Sequence, residues 1–158
     1  MRKLVPIIMG SEGDVEFCKK IIPSIEKFDI KYEIRIASVN KHSEYLLDMV
    51  REYDGKKNTL IVYVAVAGRQ HALAPTLAAN TTNPVIACYP DNKANEDILS
   101  SLHTPTGVTI YPVLYPETVG LSIAKIMSLS NPVLKIEVSN YLEALKNSIE
   151  ESDKRLRG

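Results

Sequence analysis

The stretch "TLIVYVAVAG", residues 59–68, decides the fold. It is a continuous apolar run, rich in β-branched residues, too short for a helix of ordinary length, and stopped by glycine. A strand apolar on both sides must be covered on both faces, which is the situation of a central strand in a parallel sheet. Upstream, "LVPIIM" (4–9) reads the same way and also stops at a glycine, Gly10. Downstream, "NPVIACYP" (83–90) holds another such strand, and "GVTIYPVLY" (107–115) contains a fifth. Between them "KYEIRIA" (31–37) alternates Tyr32, Ile34 and Ile36 against Glu33 and Arg35, a strand with one wetter face.

Helical spacing fills the gaps. Val15, Cys18, Ile21, Ile22 and Ile25 predict a helix from about Asp14 to Phe28, interrupted by Pro23. Further helices are expected over 43–53, over a short segment broken near Pro75, over 95–103 and over 117–129. Residues 132–156 predict one long amphipathic helix with a stripe of Leu134, Val138, Tyr141, Leu145 and Ile149. Strand and helix thus alternate along the chain, and parallel neighbours need such crossovers. The expected architecture is α/β, a flavodoxin-like doubly wound parallel sheet of order 2-1-3-4-5 with a long C-terminal helix, as a single domain over 1–158. That last helix can pack on its own sheet or wrap a neighbouring subunit.

Composition narrows the function classes. Lys plus Arg and Asp plus Glu number 19 each, so no global field favours nucleic acid or an anionic membrane. The two cysteines, Cys18 and Cys88, lack a CxxC spacing and read as reduced thiols. The first apolar run is too short for a signal-peptide core or a membrane span, so a cytoplasmic protein is expected. No His, Cys or carboxylate grouping has zinc-ligand spacing, and no G-x-S-x-G elbow occurs.

In doubly wound sheets, ligands bind outside the carboxyl ends of the strands where the winding reverses. Three polar stretches fall there: "MGSEGD" (9–14), "SVNK" (38–41) and "AGRQH" (67–71). Gly10 and Gly13 allow a tight turn and close approach, Ser11 offers a hydroxyl, and Asp14 can cap the next helix or accept from sugar hydroxyls. The helix start behind them suits an anion, although a plain turn with an N-cap explains the same residues. Lys41 can reach a phosphate or simply be solvated; His42 can sit on the surface, and His71 can cap or pack. The residues alone therefore point to a phosphate-bearing small molecule.

The same stretches, in this order, resemble the PurE family of purine biosynthesis. The family's "MGSxSD" is here "MGSEGD", and its "SAHK" or "SAHR" is here "SVNK". "VAVAGRQHAL" (64–73) resembles the class II enzymes, the aminoimidazole ribonucleotide carboxylases, rather than the class I mutases with their "GAGGAAHLPG". "DILSSLHTPTGV" (97–108) matches the class II "SSLRxPSG", and "VLYPETVGLSIAKIMSLSN" (113–131) continues the likeness. The resemblance implies carboxylation of C4 of 5-aminoimidazole ribonucleotide by CO2, without cofactor or metal, in a homotetramer or homo-octamer. It places Gly10, Ser11, Gly13, Asp14 and Lys41 around the ribose phosphate. Ser38, Asn40, Ala67, Gly68, Arg69 and Gln70 then surround the ring and CO2. The family's proton-transferring histidine falls at Asn40. A carboxamide donates and accepts hydrogen bonds but has no useful basicity. Three readings stay open: a carboxylase altered at its base, one whose acceptor moved to His42 or His71, and a binder without turnover. Gly13 for serine, Val39 for alanine and His103 for arginine are the smaller departures. The mutase, which starts from the N5-carboxylated ribonucleotide, is the alternative reaction. A phosphorelay receiver would need an aspartate where Ala67 and Gly68 stand, and a flavodoxin would need aromatic crevice loops.

Overall fold

The computed structural model of the chain describes residues 1–68, 72–90, 98 and 102–157. The strands are β1 (Arg2–Met9), β2 (Lys31–Ile36), β3 (Thr59–Ile61), β4 (Tyr63–Val66), β5 (Val85–Cys88) and β6 (Tyr111–Pro112). The helices are α1 (Val15–Glu26), α2 (Ser43–Asp54), α3 (Leu73–Ala79), α4 (Pro116–Ser128) and α5 (Pro132–Arg157), with a 3-10 turn over Glu12–Asp14. All strand pairs are parallel, in the order β2-β1-β4-β5-β6, with β3 also beside β1.

β3 and β4 are one run, "TLIVYVAV", in one register against β1: Leu4 faces Ile61 and Ile7 faces Val64. The interruption has a local cause. The Val62 N–H donates to the Leu4 carbonyl, so Leu4 and, two residues on, Pro6 point their backbone polar groups at this neighbour. Pro6 has no N–H to give there, and the ladder loses one rung. Counting the run as one strand, the order is the expected 2-1-3-4-5.

Period-two alternation sorts the core. Val5, Ile7, Met9, Val62, Val64, Val66, Ile86 and Cys88 face α1, α4 and the start of α5. Ile8, Ile61, Tyr63, Ala65, Val85, Ala87 and Tyr89 face α2 and α3. Each fully buried aliphatic side chain stabilises by roughly 1.5–3 kcal/mol, so these two layers hold the strand ends in place.

Several expectations change in detail. Pro75 does not break α3, because it stands in the first turn, where a backbone N–H has no intrahelical acceptor to lose. Pro23 lies inside α1, and the helix continues past it. On β2, Tyr32 is half-buried, but Ile34 and Ile36 are 36% and 42% exposed because β2 is the edge strand. The fifth strand shrinks to Tyr111 and Pro112. The helix expected over 95–103 falls mostly outside the described residues. In α5, Leu134 and Val138 are buried and Tyr141 packs edge-on to Phe28, whereas Leu145 and Ile149 are 46% and 71% exposed. The first turns of α5 therefore pack on the chain's own core. Among the described residues no helix is long and apolar enough to cross a membrane.

α1 and α4 meet at Gly120. Its N–H donates to Ser24 Oγ (2.9 Å), and that hydroxyl donates to the Ile21 carbonyl (2.7 Å), with the Pro116 carbonyl also within its reach (3.1 Å). The hydroxyl sits inside a helical i→i−4 pair, and the two helices nearly touch backbone to backbone.

Candidate functional site

The carboxyl ends of β1, β2 and β4 open on one crevice of about 560 Å³. Its wall is Gly10, Ser11 and Asp14 after β1, Ala37 through Lys41 after β2, Ala67 and Gly68 after β4, and Ala72 with Leu73 at the start of α3. The strand ends are tied by ladder bonds that run into the loops. The Gly10 N–H reaches the Val66 carbonyl (3.0 Å), and the Ala37 N–H reaches that of Met9 (3.0 Å). The three polar stretches thus start from fixed points on a buried sheet.

The first loop is a single 3-10 turn, closed by Asp14 N–H to the Ser11 carbonyl at 3.2 Å. Neither Gly10 nor Gly13 has a positive φ, and a Cβ at either meets its nearest neighbour at 3.6 or 3.5 Å, an ordinary contact. The tight turn therefore does not require glycine, contrary to the sequence expectation, and Gly13 does not line the crevice. Asp14 occupies the N-cap position of α1 but makes no side-chain cap bond. Its carboxylate instead accepts the Ser11 hydroxyl at 3.2 Å. Serine and aspartate form a polar pair on the crevice wall, and the first N–H groups of α1 receive no side-chain cap.

The second loop is a compact turn. The His42 N–H donates to the Ser38 carbonyl at 2.9 Å, enclosing Val39, Asn40 and Lys41. Val39 is half-buried and packs against the α2–α3 side of the core, so its extra bulk relative to alanine is anchored inward as well as lining the crevice. Asn40 and Lys41 are exposed, and among the described residues Lys41 has no ion-pair partner. His42 does not line the crevice; its Nδ1 accepts the Tyr45 N–H at 3.2 Å and caps α2. His103 is exposed. Arg69, Gln70 and His71 lie outside the described residues.

Below the crevice, burial, and then the charge of Asp14, push the Cys18 thiol up to about 12. Burial raises Cys88 as well, so neither sulfur is a thiolate near neutral pH. Among the described residues no group of three His, Cys, Asp or Glu could hold a metal ion. The lining residues sequence reasoning passed over are Ala37, Ala72 and Leu73. They carry no chemical signal, and only the way α3 returns to the sheet brings Ala72 and Leu73 to the wall.

A family model described as AIR carboxylase matches residues 4–148. The chain belongs to the AIR carboxylase family. Among its relatives is a phosphoribosylaminoimidazole carboxylase of Archaeoglobus fulgidus, 38% identical over 153 residues that cover 96% of this chain and 83% of the relative. One of the same description from Treponema denticola is 36% identical over 159 residues and 99% of both chains. The Drosophila melanogaster bifunctional phosphoribosylaminoimidazole carboxylase/phosphoribosylaminoimidazole succinocarboxamide synthetase is 38% identical over 159 residues, 98% of this chain and 36% of that one. The crystal structure of Treponema denticola PurE superimposes with a TM-score of 0.93 at 35% identity, over 99% of this chain and 100% of that one. As an AIR carboxylase family member, the chain has a place in purine biosynthesis and carries the PurE fold.

Proposed function

We infer that this protein carboxylates 5-aminoimidazole ribonucleotide at C4 with CO2, reversibly, giving 4-carboxy-5-aminoimidazole ribonucleotide. The observation that carries this reading is the convergence of Ser11 and Asp14 with the Ser38–Lys41 turn on one crevice, in a chain of this family. The amino group makes C4 of the ring electron-rich. C4 attacks the carbon of CO2, one C=O π pair moves to oxygen, and the C4 proton then leaves to restore aromaticity. The protein has only to position two reactants, exclude water and receive one proton, so the step needs no redox group or metal.

Lys41 holds the phosphate beside the start of α1, and Ser11 with Asp14 holds the ribose, with Gly10 and the Gly13 backbone close by. Ser38, Asn40, Ala67 and Gly68 border the ring and the new carboxylate, and the family resemblance adds Arg69 and Gln70 to that set. Asn40 can donate its amide hydrogens to that carboxylate, but it cannot receive the C4 proton. The "AGR" of Ala67-Gly68-Arg69 favours free CO2 over the N5-carboxylated substrate of a mutase. The protein acts in the cytoplasm as a homotetramer or homo-octamer, the exposed end of α5 serving the assembly. A second reading, a ribonucleotide binder without turnover, is favoured by one observation: no imidazole lines the described part of the crevice.

Decarboxylation of 4-carboxy-5-aminoimidazole ribonucleotide, followed for the chain as it stands and for Asn40→His, tests the reading. A missing general base costs about 10²- to 10⁴-fold in rate. A gain of that size in Asn40→His identifies a carboxylase scaffold short of its base. Full activity without the substitution locates the acceptor elsewhere, His71 next. Silence in both folded proteins rejects the enzyme and leaves the binder.

A further inference from the structure

One residue both closes the turn that carries Ser38, Asn40 and Lys41 and caps the helix that follows it. The His42 backbone N–H donates to the Ser38 carbonyl (2.9 Å), and the His42 imidazole Nδ1 accepts the N–H of Tyr45 (3.2 Å). His42 stands at the N-cap of α2, with φ −156° and ψ 74°, and Tyr45 is the third helical residue after it. Serine, threonine, aspartate and asparagine usually fill this position, because their short side chains bring an oxygen to that same N–H. Here an imidazole nitrogen replaces the oxygen. The His42 and Tyr45 rings lie 5.7 Å apart at 50°, which holds the imidazole against the helix start.

The bond specifies the ring's chemistry. A neutral imidazole accepting at Nδ1 carries its proton on Nε2. Nε2 is then a donor, and Nδ1 can take a proton only by giving up the cap.

We propose that His42 is a positioning residue, a helix N-cap that fixes the Ser38–Lys41 turn in its ligand-ready shape, rather than the group that receives the substrate proton. The effect on ligand rests on the function inferred above; the effect on the turn does not. Without the acceptor, the Tyr45 N–H loses its partner, the first turn of α2 frays, and the loop tied to it through His42 loses its register. Protonation of the ring does the same, since Nδ1–H then faces another donor and a positive charge stands at the positive end of the helix dipole. The charged and titratable groups nearby are Lys41 before the ring, Glu44 in the first turn, the Tyr45 phenol, and Arg35 of β2 near that phenol.

The test compares His42→Ala, His42→Asn and His42→Ser with the parent protein. Amide exchange at Tyr45 reads the cap, imidazole ¹⁵N shifts read the tautomer, and binding of 4-carboxy-5-aminoimidazole ribonucleotide reads the turn. The expected result is Nε2–H in the parent, exchange at Tyr45 roughly five- to ten-fold faster in His42→Ala with several-fold weaker binding, and recovery of both by Asn and Ser. Unchanged Tyr45 exchange in His42→Ala overturns the proposal. So does equal loss of turnover in His42→Ala and His42→Asn with Tyr45 still protected, which would make the ring a chemical participant. If the parent binds no ribonucleotide, the functional reading fails by itself, and Tyr45 exchange still decides whether His42 holds the turn.

Discussion

Replacing Gly120 by alanine should unfold this protein far more easily, although alanine is the better helix former by about 1 kcal/mol. A Cβ at position 120 would lie 1.8 Å from the Ser24 carbonyl oxygen, 2.1 Å from its carbon and 2.6 Å from the Ile25 nitrogen. All three are backbone atoms of α1, so no side chain can swing away. Relief to even 3.0 Å requires α1 and α4 to part by more than 1 Å at their contact. Overpacking of this kind costs about 1–3 kcal/mol. The separation also breaks the hydrogen bond from the Gly120 N–H to Ser24 Oγ, and a buried polar group left unpaired costs about 1–3 kcal/mol. Together the loss is about 2–6 kcal/mol, or roughly 10 °C in Tm for a chain of this size. Ser24→Ala is the milder partner experiment. With the hydroxyl gone, Gly120 can return to its own i→i−4 acceptor, so the cost should stay near about 1 kcal/mol. Urea unfolding followed by far-UV circular dichroism measures both. A Gly120→Ala protein as stable as the parent, or more so, would refute the close approach of α1 and α4.

Three further outcomes follow from particular residues. Lys41→Ala should weaken binding of 4-carboxy-5-aminoimidazole ribonucleotide about ten-fold or more by calorimetry, with a shallower salt dependence, because the lysine lines the crevice and among the described residues has no ion-pair partner. Gly13→Ser should leave stability within about 0.5 kcal/mol by urea unfolding, since a Cβ there has room and φ is not positive. Cys18, raised by burial from 9.0 to about 12, ionises more readily unfolded than folded. Its contribution is whole below pH 9.0 and is lost as the pH climbs from there toward about 12, so unfolding midpoints should fall over that range. A Cys18→Ala variant should lose part of that slope.

Much of the crevice was legible as residue types in order, and its residues' contacts were not. "GSEGD" and "SVNK" stood out because polar, small residues directly after buried strands have no place in a core. Yet Asp14 reads as an ordinary helix cap, and only the folded chain brings its carboxylate to the Ser11 hydroxyl instead. His42 looked like a candidate acid–base, and its Nδ1 turns out to be engaged by Tyr45, three residues on. Ser24 and Gly120 are 96 residues apart and gave no signal at all.

What the sequence by itself determined is the parallel α/β sheet, its strand order and the three loops at its working edge. Those follow from local period and from the length of the crossovers, and both are written along the chain. What only the tertiary structure decided is which polar atoms find each other, how near α1 comes to α4, and that Ile34, Ile36, Leu145 and Ile149 stay outside the chain's own core. The physical reason is range: strand and helix patterns depend on neighbours a few residues away. Hydrogen-bond partners and contact distances depend instead on where distant segments come to rest against each other.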